Sequence, residues 1–111
     1  MAHTYVAKNT NGGTKMDILE ETYAVLEANG MVKNHCDFSL NFLNKSSRYF
    51  SMIRASDRNA SVDALARLAA NLKQRTDLCR ESKFGELRQK TEFLFPLTQK
   101  VWAEMYKRAL G

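Results

Sequence analysis

Apolar residues in this chain recur at intervals of three and four, the period of a helix, and none alternate over a strand's length. Ile18, Leu19, Tyr23, Val25 and Leu26 form the first such face, with Thr22 as its one polar member. Asp17, Glu20, Glu21 and Glu27 lie off that stripe or at its edge. Thr14, followed by Asp17, resembles a capping box at the start of this helix. Asn29-Gly30 ends it with residues that tolerate a left-handed backbone. A second helix begins with Asn34 as cap and Asp37 in its first turn, carrying Phe38, Phe42 and Leu43 inward, with Leu40 and Cys36 as extras. A third, capped by Ser46 or Ser47 and running to Arg54, turns Tyr49, Phe50 and Ile53 inward.

Ala55–Ala60 reads as a polar loop, after which Ser61 caps the clearest helix of the chain. Val62, Leu65, Leu68, Ala69 and Leu72 share one face of it, leaving Asp63, Arg67 and Lys73 outside. A last helical region spans roughly Ser82–Leu110, with Phe84, Leu87, Leu94, Phe95, Val101, Trp102 and Met105 in a broad apolar stripe. Pro96 lacks an amide donor and is expected to split this region in two or kink it sharply. Residues 1–13 show no periodicity and are rich in Asn and Gly, the composition of a flexible tail. The fold class expected is all-α: a helix-turn-helix bundle of about five to six helices. Residues 14–75 would form its domain and 76–111 a C-terminal helical extension.

Composition narrows the function less than the pattern narrows the fold. One domain is the natural reading of 111 residues, and no apolar run approaches the ~20 residues of a membrane span. No leader of the secretory type opens the chain, so the cytoplasm is the expected compartment and no membrane contact is expected. Cys36 and Cys79 stand apart without metal-ligand spacing, and His35 and His3 add none, so the expected metal and cofactor content is nil. Phosphate-binding glycine loops, paired carboxylates and nucleophile elbows are lacking, which points away from an enzyme. The net charge is +5; residues 1–60 carry seven Lys/Arg against six Asp/Glu, and residues 61–111 carry ten against six. Such a balance is compatible with nucleic acid without indicating it.

The run Ser46–Leu72 joins a polar cap, Tyr49, Phe50 and Ile53 to a polar loop and a Ser-led helix with Leu65, Leu68-Ala69 and Leu72. That spacing resembles the core of the lambda-repressor-like (Xre/Cro-type) helix-turn-helix superfamily. The whole chain also resembles a small set of uncharacterised proteobacterial proteins. The superfamily resemblance implies a transcriptional regulator that inserts its third helix, Ser46–Arg54, into the major groove of double-stranded DNA. By position, Ser47, Arg48 and Ser51 would contact bases, with the Arg48 fork suited to guanine. Asn34, His35, Lys45, Ser46 and Arg54 would contact phosphates.

The sequence departs from the family at the turn. Counted from Ser39, where the family has a small alanine, the left-handed residue falls at Leu43; counted back from Phe50 and Ile53, it falls at Asn44. One extra residue in the turn reconciles the two counts. Lys45 replaces a buried aliphatic, and Tyr49 and Met52 stand where readers are often polar. A scaffold so altered also suits a protein partner, as in an adaptor or antiactivator. Two-half-site recognition implies a homodimer, for which Phe95, Val101, Trp102, Met105 and Tyr106 are the candidate surface.

Overall fold

The computed structural model describes residues 17–56 and 60–110. Those residues form six helices and no strand: α1 (Asp17–Ala28), α2 (His35–Asn41), α3 (Tyr49–Ser56), α4 (Val62–Arg80), α5 (Gly85–Gln89) and α6 (Thr91–Leu110). The all-α expectation holds, while the expected tail and the Thr14 cap lie outside the described residues.

Local chemistry ends and begins several helices where the pattern placed them. Gly30 adopts φ +73°, and a Schellman motif closes α1: Met31 N–H donates to Leu26 C=O at 2.8 Å and Gly30 N–H to Glu27 C=O at 3.0 Å. The Asn34 side chain accepts from the Asp37 amide, and the Asp37 carboxylate in return accepts from the Lys33 amide at 2.8 Å. Ser61 caps α4 by accepting from Ala64 N–H at 3.0 Å.

Leu19, Leu26, Phe38, Phe42, Leu43, Phe50, Leu65, Leu68, Leu72, Leu94 and Val101 make a continuous buried core. Thr22 joins it because its hydroxyl donates to Ile18 C=O at 2.6 Å, which satisfies the one polar group on that face. Several expected core positions are instead exposed. Leu40 is 50 % exposed, Val62 40 %, Phe84 70 % and Leu87 39 %, and Cys36 is on the surface.

The C-terminal half differs most from expectation. α4 continues to Arg80, so a boundary near residue 75 falls inside a helix, and α6 packs along α4 in the most extensive helix contact of the fold. The break comes at Lys90, between α5 and α6, and α6 runs through Pro96 as one bent helix. Pro96 is exposed in the second turn, so the carbonyl it leaves without a donor, that of exposed Glu92, is open to water. Leu94, Leu97, Thr98 and Val101 bury against the rest of the molecule and hold both sides of the bend. Arg108 fastens the far end, donating to Glu104 at 2.7 Å and to Ala60 C=O at 2.8 Å just before α4.

Candidate nucleic-acid interface

The connection between α2 and α3 carries the chemistry. Asn44 lies at φ +53° and is the one non-glycine described residue in the left-handed region, the position that the count from Phe50 and Ile53 names. Beyond it, Lys45 N–H donates back to Ser39 C=O at 2.9 Å, one residue wider than the equivalent Met31-to-Leu26 bond that closes α1.

Three side chains fix the wide turn. Ser39 is fully buried and its hydroxyl accepts from Phe50 N–H at 3.0 Å, so the first-turn amide of α3 is capped from α2 rather than by Ser46 or Ser47. The Asn71 side-chain amide, from α4, donates to Phe42 C=O at 2.9 Å and to the Asn44 side-chain oxygen at 2.8 Å. The Arg75 guanidinium lies 4.1 Å from the Phe42 ring centroid, where burial lowers its pKa. Phe38 packs its ring against Tyr23, Phe42 and Phe50 at centroid distances of 5.5, 6.0 and 5.0 Å, tying α1, α2 and α3 together.

Regular α3 starts at Tyr49, three residues later than expected, so Ser46, Ser47 and Arg48 form the turn that leads into it. Arg48, Ser51, Met52 and Ala55 follow the i, i+3, i+4, i+7 spacing of one helical face, and all four are exposed. The Arg48 side chain makes no hydrogen bond or ion pair with any described residue, and its C=O accepts from Met52 N–H at 2.9 Å. Ser51 is engaged, its hydroxyl 3.2 Å from His35 Nδ1, and the His35 ring sits edge-on to Tyr23 and Phe50. His35 thus braces α2 against α3.

Two of the expected phosphate contacts, Lys45 and Arg54, already face carboxylates. Lys45 pairs with Asp63 of α4 at 2.7 Å, and Arg54 pairs with Glu20 of α1 at 2.7 Å. At the start of α2, Asn34 is occupied as a cap and Asp37 takes the Lys33 amide. The bond from Lys33 N–H, then that from Asn41, holds the Asp37 carboxyl below its ordinary pKa. The bond from Lys45 does the same for Asp63. Both cation pairs are substantially solvent-exposed, the class of ion pair worth roughly 0–1 kcal/mol. Sequence reasoning overlooked Glu20, Asp63 and Asn71, because each reaches the turn or α3 across a tertiary contact.

Of the five residues expected at a dimer surface, Val101 is fully buried and so unavailable, while Met105 is half-buried against the core. Phe95, Trp102 and Tyr106 are 50, 37 and 58 % exposed, and the last two rings stack at 5.6 Å. With Gln99 and Leu110 they follow one stripe along α6. Beside it runs a groove of about 230 Å³ lined by Lys73, Asp77, Arg80, Phe95, Gln99 and Trp102, among others. No metal-binding cluster occurs among the described residues, Cys36 and Cys79 are free thiols, and no described helix is long and apolar enough to cross a membrane.

Residues 19–110 match a family of unknown function, DUF6626, and the chain belongs to that family. None of the curated proteins and none of the solved structures matches it.

Proposed function

We propose that the protein is a DNA-binding regulator that presents the Ser46–Ser56 segment to the major groove, acting as a homodimer. One observation carries this reading: Ser39, Asn44 and Asn71 lock the α2–α3 turn and leave the Arg48 side chain projecting without a partner among the described residues. Groove reading requires such a fixed helix start, because a base contact is lost when its donor is misplaced by about 1 Å. Within this reading Arg48 and Ser47 take the bases, Ser51 positions His35, and Lys45 and Arg54 approach phosphates.

Selecting binding sites from random duplexes, then titrating the selected site at several salt concentrations, tests the reading. Arg48→Ala is expected to relax preference at one base pair, at a cost of about 1–3 kcal/mol there. Equal weakening on all sequences would place Arg48 on phosphate, and no binding by the wild type at low salt would end the proposal.

The exposed side chains Phe95, Trp102, Tyr106 and Leu110 support the homodimer, since contiguous exposed apolar surface on a small protein marks an interaction site. Light scattering across a range of concentrations is expected to give twice the 12.7 kDa chain mass, and Trp102→Glu the single mass with helical content unchanged. A wild type that stays at the single mass at every concentration rules the dimer out. A second reading, an adaptor that binds another protein, draws support from the carboxylates beside Lys45, Arg54 and Asn34. A monomer that ignores DNA would favour it.

A further inference from the structure

We infer that Glu20 and Asp63 act as built-in competitors of the DNA backbone, holding Arg54 and Lys45 so that the protein binds unspecific DNA weakly. The inference rests on the DNA-binding reading and deepens it.

The two held cations lie at either end of the α3 segment. Lys45 stands before its first turn and Arg54 in its last, and each is held by an acid from a flanking helix, α4 and α1 respectively. Both bonds are short charge-assisted contacts of 2.7 Å, and Arg54 also lies 5.8 Å from the Phe50 ring centroid. A backbone phosphate offers the same cations the same kind of oxygen acceptor, so carboxylate and phosphate compete for them. Sequence-independent affinity comes from phosphate contacts, each of which releases counterions and steepens the salt dependence. A protein whose phosphate-seeking cations are pre-bound has little such affinity until a base contact, here by Arg48, offsets the exchange. Glu20 and Asp63 would therefore raise discrimination by lowering the background.

Glu21 supplies the control. It carries the same charge on the same helix as Glu20 but pairs with Lys100 of α6, away from α3. Its removal changes net charge without releasing either cation.

The test titrates fluorescent duplexes of random sequence with the full chain as wild type, Glu20→Gln, Asp63→Asn, the double variant and Glu21→Gln, from low to physiological salt. Each of the first two variants should bind about three- to fivefold more tightly than wild type, the double variant about tenfold or more with a steeper salt slope, and Glu21→Gln within about 1.5-fold of wild type. Melting each variant confirms that it is folded, which matters for Asp63 because it also bonds Arg67 within the first turns of α4. Tighter binding by the two pair variants but not by Glu21→Gln supports the inference, including when the wild type alone fails to bind. Equal gains in all three single variants would reduce the effect to net charge and overturn it. DNA binding by the wild type with no gain on releasing either cation overturns it while leaving the DNA-binding reading intact. No binding by any variant at low salt overturns both.

Discussion

Phe38→Ala should lose about 3–5 kcal/mol of folding stability, the largest effect expected of any single substitution considered. Its ring is fully buried and sits between Tyr23 of α1, Phe42 at the end of α2, and Phe50 of α3. Truncation removes the apolar transfer energy of a whole ring and leaves a cavity that three helices cannot close together, because Ser39 and Asn71 hold their spacing. A small domain has a total stability of about 5–15 kcal/mol, so the variant should be partly unfolded near physiological temperature. Urea denaturation followed by circular dichroism measures the loss. Phe38→Leu keeps most of the apolar volume and should retain most of the stability; a loss under about 1 kcal/mol for the alanine variant would show that the ring is not the keystone of the three helices.

Phe38 also shows which features were legible in the sequence. Its inward face follows from helical spacing alone, as do those of Phe50, Ile53, Leu65, Leu68 and Leu72, and all of these are buried. The caps at Asn34 and Ser61 and the stop at Gly30 were equally readable, because a cap involves residues two or three apart in the chain. The features that set the turn were not. Ser39 caps a helix eleven residues away, and Asn71 reaches back twenty-seven to Asn44. The acids that hold Lys45 and Arg54 are eighteen and thirty-four residues from them. At Pro96 a local rule left two outcomes open, a break or a kink, and burial of Leu94, Leu97 and Val101 on both sides decides for one bent helix. Along α6, spacing assigned Val101 and Trp102 to one stripe, whereas one is buried and the other exposed. Neighbours in sequence point some 100° apart on a helix, and a broad stripe does not say which edge the core claims.

The turn at Asn44 permits a sharper separation of local from tertiary effects. Two contributions favour asparagine there: tolerance of φ +53°, and the hydrogen bond its side chain accepts from Asn71 at 2.8 Å. Asn44→Ala removes both, adding left-handed strain of about 1 kcal/mol to a lost hydrogen bond of about 0.5–1.5 kcal/mol, for a total near 2 kcal/mol. Asn44→Gly relieves the strain and loses only the bond, so about 1 kcal/mol or less should be lost. Asn71→Ala costs more than that bond alone, because the Phe42 carbonyl then loses its side-chain donor as well. Combining Asn71→Ala with Asn44→Ala should give less than the sum of the single losses, since the shared bond is counted only once. Chemical denaturation of the four variants settles the point, and strict additivity would mean that the Asn71–Asn44 bond does not clamp the turn. If the turn also aims α3, Asn44→Gly should weaken binding to a selected duplex more than it weakens the fold, because glycine keeps the backbone angle available but leaves Asn71 only its bond to the Phe42 carbonyl to tie the turn to α4.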